Sequence, residues 1–156
     1  METLVLILRN IINDTVETYT YSDARLEQMI SVAAQLLLAE VSFDYDYSID
    51  VTTPTITPDP VANGDDAFIA LVTLKAAALL TGAEYKIATK SSVTITDAWS
   101  TISNTGAAAN YKALFDEFNK QYKETLLQHK FGNVNHIHAV LSPYTVNTRY
   151  STPHFY

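Results

Sequence analysis

The sequence predicts a mostly α fold: a small helical bundle of about four helices with long extended connectors, short β segments and an extended C-terminal tail. Three observations carry that expectation. Apolar residues recur at helical spacing in four separate segments. One of those segments is apolar all round, as a central helix must be. The stretches between them are rich in Pro, Thr, Ser and Asp and carry no helical period. At 156 residues the chain is one domain's worth and long enough to bury a core.

The first helix is expected over residues 2–13, where Leu4, Leu8, Ile11 and Ile12 share a face. The second follows "YTYSD". Ser22 is a good N-cap, and Asp23 suits the positive end of the helix dipole. Leu26, Met29, Ile30, Ala33, Leu36 and Leu37 then form an apolar stripe to about Glu40. The third starts near Asp65–Asp66 and runs to about Lys86, with Phe68, Ile69, Leu71, Val72, Leu74, Ala76, Leu79 and Leu80 around it. The fourth runs from about Ala107 to His129. Tyr111, Leu114, Phe115, Phe118, Tyr122 and Leu126 line one face, and Asp116, Glu117, Lys120, Lys123 and Glu124 the other.

Two connectors and a tail remain. In residues 41–64, "FDYDYSIDV" reads as an extended segment with Phe43, Tyr45, Tyr47 and Ile49 on one side. The Thr-Pro repeats after it favour extended, non-helical backbone. The tail, "FGNVNHIHAVLSPYTVNTRYSTPHFY", contains no acid and cannot form a core of its own. It makes sense laid on another surface as a strand or anchor. The expected division is a single helical domain over 1–131 and an extended arm over 132–156.

Several chemistries find no support. Cysteine is absent, so there is no thiolate site and no disulfide framework. Four scattered glycines make no phosphate-binding loop. His136 and His138 would share a strand face and, with His129 or Asp97, could hold a metal, but exposed tail histidines are the commoner case. Asp44, Asp46 and Asp50 resemble a calcium loop briefly. Ile49 then stands where that loop needs Gly, and Thr55 where it needs Glu. No Ser–His–acid spacing suggests a hydrolase, so no enzyme and no cofactor are expected. The longest apolar stretch, "AFIALVTLKAAALL", is short for a bilayer span, so no membrane partner is expected.

Net charge is −7, unevenly spread. Residues 1–66 hold twelve acids and two bases, and residues 67–156 five acids and eight bases. Either two faces of one monomer are solvated differently, or an acidic half meets a neighbour's basic half in head-to-tail association. There is no basic cluster for specific nucleic-acid binding.

The connector "SSVTITDAWSTISNTG", residues 91–106, is polar yet holds Trp99, the only tryptophan. It reads as a short extended segment, "VTIT", ended by an Asp turn. Asp97 would cap that turn on the backbone N–H of Trp99 or Ser100. Trp99 would hold it either to the helical core or to a neighbour.

The order "YSDARLEQMISVAAQLLLAEV", an aromatic–acidic extended segment, "FIALVTLKAAALLTGAEYK", "ITDAWSTIS" and "YKALFDEFNKQYKETL" resembles the head–tail connector proteins of tailed bacteriophages, also called neck, adaptor or head-completion proteins. The likeness covers about residues 20–130 and rests on element order, the tyrosine-led second helix and the link into the last helix. The resemblance implies a structural virion protein at the neck, assembled in the host cytoplasm. It implies a homo-oligomeric ring with twelve-fold symmetry beneath the portal protein, extending the DNA channel and docking tail or neck proteins. Double-stranded DNA would pass through without specific binding. The first helix and the tail after residue 130 do not map onto that family. The candidate interface residues are Trp99, Asp97, Tyr45, Tyr47, Tyr144, Tyr150, Phe155 and Tyr156. A tail-completion or terminator protein, and a cellular helical adaptor, are the alternative functions.

Overall fold

The computed structural model describes residues 1–90, 94–97, 100–103 and 105–132. Among the described residues, five helices and two β-hairpins follow one another: α1 (Glu2–Ile11), α2 (Asp23–Leu38), β1 (Ser48–Asp50), β2 (Thr55–Thr57), α3 (Pro60–Asn63), α4 (Asp66–Lys90), β3 (Thr94–Asp97), β4 (Ser100–Ser103) and α5 (Thr105–Phe131). The mostly α bundle expected from the sequence is the fold.

α4 is its axis. Phe68, Leu71, Val72, Ala76, Ala77 and Leu80 are buried, and α1, α2, α3 and α5 all pack against this one helix. Its first turn is set by Asp65, whose carboxylate accepts from the Phe68 backbone N–H at 2.9 Å. α4 has 25 residues, and an 18-residue window within it has a mean hydropathy of 1.6, so it is long and apolar enough by composition to cross a membrane, longer than the expected fourteen-residue apolar run. Its apolar sides are instead spent on its neighbours, and Lys75 lies among them.

α5 runs antiparallel to α4. Two turns down α4, from Gly82 to Lys75, correspond to two turns up α5, from Phe115 to Tyr122. The approach is close at Gly82, where a Cβ would meet the Phe115 ring at 3.1 and 3.2 Å. Gly82→Leu is therefore expected to wedge the helices apart and cost about 1–3 kcal/mol, as overpacking does. A urea midpoint that falls with an unchanged slope checks this.

α2 is also antiparallel to α4, tied at one end by Arg25–Glu84 at 2.6 Å and near the other by Glu40–Lys75 at 2.5 Å. Ser22 caps α2 by accepting from the Arg25 N–H at 3.4 Å. Leu26, Ile30, Ala33, Ala34 and Leu37 form its buried face. Leu36, expected in that stripe, is 43% exposed, because the face centres on positions 26, 30, 33 and 37 and leaves 36 to one side.

The connectors hold more structure than their composition suggests. β1 and β2 pair antiparallel, Ile49 opposite Ile56. Asp50 closes their turn, accepting from the Thr52 and Thr53 N–H groups and the Thr53 hydroxyl. Its carboxylate is thus engaged in a turn. The Thr-Pro region, expected to stay non-helical, contains β2, a cis Thr57–Pro58 bond and the short helix α3. Asp59 caps α3 and Pro60 sits at its first position, where a missing N–H costs nothing. Gly64, at φ 65°, ends it. The approach to the last helix, expected as a single extended segment, is a hairpin: β3 pairs with β4, Asp97 opposite Ser100. α1 ends two residues sooner than expected, at Ile11. Asn13 there takes φ 57°, a conformation Asn tolerates better than most residues.

Candidate functional site

A lysine inside an all-apolar helix has to find its counter-charge elsewhere in the chain. Lys75 is 8% exposed, and its ammonium lies 2.5 Å from Glu40 at the end of α2 and 3.3 Å from the Tyr122 hydroxyl of α5. Tyr122 in turn donates to the other Glu40 oxygen. Burial alone would raise the Glu40 carboxyl, but the hydrogen bonds from Lys75 and Tyr122 outweigh it and hold the group below its ordinary range. Burial, and then the bond to Glu40, raise the Tyr122 phenol. One polar triad thereby fastens three helices.

Arg9 serves α1 in the same way. It is 4% exposed and donates to Asp14 at 2.7 Å, to Asp23 at 2.6 Å and to the Tyr21 carbonyl at 2.9 Å. Its guanidinium also lies 3.9 Å over the Tyr19 ring. Asp14 accepts from the Thr20 and Tyr21 N–H groups. Burial acts to raise this carboxyl, but those backbone bonds and the Arg9 charge bring it below its ordinary value. Burial, with the Glu84 charge nearby, pushes the Tyr21 phenol up to about 12.

A pH dependence follows from the two carboxylates. Their folded values are depressed, so their contribution to stability is full above the unfolded carboxylate range. It is lost as pH falls below about 4 and through the lowered folded values. Thermal melts at pH 6, 4 and 2.5 are expected to show that fall, with Asp14→Asn flattening it. An Asp14→Asn protein with the wild-type slope would contradict it.

Among the described residues, no buried side-chain nitrogen or oxygen lacks a hydrogen-bond partner, and no cluster of His, Asp and Glu could hold a metal. The buried charges are committed to joining helices. What is left to meet a partner is surface.

The predicted interface residues fall in three places. Tyr47 is 6% exposed: it stacks on Phe68 at 4.1 Å and donates to Asp65 at 2.8 Å. Burial, and next the Asp65 bond, raise its phenol. It is a core residue, which corrects its place among the interface candidates. Tyr45 is 43% exposed and remains available, 6.1 Å from the Tyr47 ring. The bend at residues 44–45 breaks the alternation that put Phe43, Tyr45 and Tyr47 on one side. Asp97 ends β3. Trp99, Tyr144, Tyr150, Phe155 and Tyr156 lie outside the described residues, as do His136 and His138. His129 stacks on Phe43 at 5.2 Å, next to the aromatic core.

Two surfaces went unread in the sequence. On α5, Lys120, Lys123, Leu127, Lys130 and Phe131 are all exposed, Leu127 at 59% and Phe131 at 64%. Their spacing of i, i+3, i+7, i+10 and i+11 puts them on one face, away from the Phe118 and Tyr122 that pack on α4. The sequence shows that spacing, but the lysines there look like an ordinary solvated face. The second surface is a groove of about 380 Å³ between α1 and α2, lined by Glu2, Val5, Leu6, Tyr19, Asp23 and Glu27 above Arg9.

Comparison of the chain with protein-family models, curated proteins and solved structures found no match.

Proposed function

We propose that this chain is a structural subunit of a head–tail connector ring of a tailed bacteriophage. The ring would sit beneath the portal, extend the DNA channel and dock the tail. The observation that carries this reading is the state of α5: a 27-residue helix, packed against α4, with a basic and apolar face turned outward. A helix that leaves two large apolar side chains at its end in water is suited to burial against another subunit. The order of α2, the aromatic–acidic connector, central α4, the β3–β4 link and long α5 follows the element order on which the resemblance rests. The net charge of −7 suits a conduit, since a basic lining would hold passing DNA through its phosphates.

Function in this reading is mechanical. The Lys75–Glu40–Tyr122 and Arg9–Asp14–Asp23 networks make each subunit a stiff block. Outer surfaces then join blocks to one another, to the portal above and to the tail below. Co-sedimentation with a purified bacteriophage portal ring tests the proposal. Saturable binding at a fixed number of subunits per portal is expected. A chain that stays in the supernatant with portal in excess would overturn it.

A further inference from the structure

We infer that the outward stripe of α5 seats in the α1–α2 groove of a second copy of this chain, and that this is the repeating contact of the assembly. The inference rests on the ring reading above and names the two surfaces that meet. Each half lacks what the other has. The groove has an apolar floor at Val5 and Leu6, Leu6 being 60% exposed, and three carboxylates around it, Glu2, Asp23 and Glu27. Its one base, Arg9, is spent on Asp14, Asp23 and the Tyr21 carbonyl. Local charge is therefore negative with no free cation among the lining residues. The stripe presents three lysines around Leu127 and Phe131, and of its neighbours Glu124 lies 3.9 Å from Lys120.

The stripe from Lys120 to Phe131 covers about 16 Å of helix and α1 from Glu2 to Arg9 about 10 Å, at 1.5 Å per residue, so about two turns of the stripe can lie along the groove. A helix laid between two others with anchors at i, i+3 and i+7 is a common recognition mode. Phe118 and Tyr122 hold α5 on α4, and Lys123 and Lys130 flank that seam near Glu40, while Leu127 and Phe131 stay exposed and free to meet a second copy. The contact joins two different patches, so it is heterologous: every copy keeps one stripe and one groove free until the chain of contacts closes.

A charge-swap experiment tests it by light scattering and sedimentation over a concentration series up to about 1 mM, in low salt. All four side chains to be changed lie outside the buried core, and circular dichroism confirms that the variants are folded. Lys120→Glu/Lys123→Glu and Glu2→Lys/Glu27→Lys should each weaken self-association at least tenfold. Mixed one to one they should associate again, since each reversed surface then finds its complement. If the wild type associates and neither variant is weakened, or the mixture fails to recover, this interface is wrong and the ring reading stands. A wild type that stays monomeric throughout overturns the interface and removes the support the ring reading draws from α5. A heteromeric partner captured by the stripe while the wild type stays monomeric counts equally against a second copy.

Discussion

Phe68→Ala is expected to lower the free energy of unfolding by about 4 kcal/mol, the middle of the range for a fully buried aromatic. Phe68 is 0% exposed at the start of α4, and it is where the connector meets the bundle. Tyr47 stacks on it at 4.1 Å, and Phe43 meets it edge-on at 5.1 Å. His129 of α5 stacks on Phe43 at 5.2 Å. Truncation therefore opens a cavity and also strips two rings of their partner, each such pair being worth up to about 1 kcal/mol beyond buried area. The Tyr47–Asp65 bond depends on the same ring, so the cap of α4 should loosen as well. Urea denaturation followed by circular dichroism measures the loss. A decrease under about 1 kcal/mol would show that the aromatic cluster does not anchor the connector.

Glu40→Ala and Lys75→Met are expected to differ sharply although they break the same ion pair. Glu40 is 44% exposed, whereas Lys75 is nearly buried at 10% of its side chain. Removing Glu40 strands an ammonium among apolar side chains with only the Tyr122 hydroxyl beside it, and the cost is about 2–3 kcal/mol after allowance for the exposed rim. Removing Lys75 leaves a carboxylate that water can reach and that Tyr122 still serves. Met fills the lysine's volume, so Lys75→Met should stay within about 1 kcal/mol of wild type. Equal losses for the two variants would show that pairing, rather than the stranded charge, sets the cost.

The bundle was legible because its signals are local. Ser22 and Asp65 announce helix starts through side chains that reach three residues along, and α4 announces the core by being apolar on every side. The polar triad was not legible. Lys75 stands 35 residues from Glu40 and 47 from Tyr122, so only the antiparallel packing of α2 and α5 on α4 brings the three together. Tyr45 and Tyr47 look alike in an alternating string, and a bend at 44–45 sends one to solvent and the other onto Phe68. The second strand of the β3–β4 hairpin was missed because "STIS" has the composition of a loop and becomes a strand by pairing with "TITD". The α5 stripe was visible as spacing. Its meaning depends on knowing which side of α5 faces α4, and that is a tertiary fact.

The central claim is that these blocks assemble into a closed ring around a channel. Negative-stain electron microscopy of the purified full chain at high concentration, and after mixing with a bacteriophage portal ring, tests it most directly. Annular particles of uniform diameter with an open centre are expected, and with portal an added mass of twelve times the 17.3 kDa subunit. Monomers alone and undecorated portal rings after mixing would contradict it.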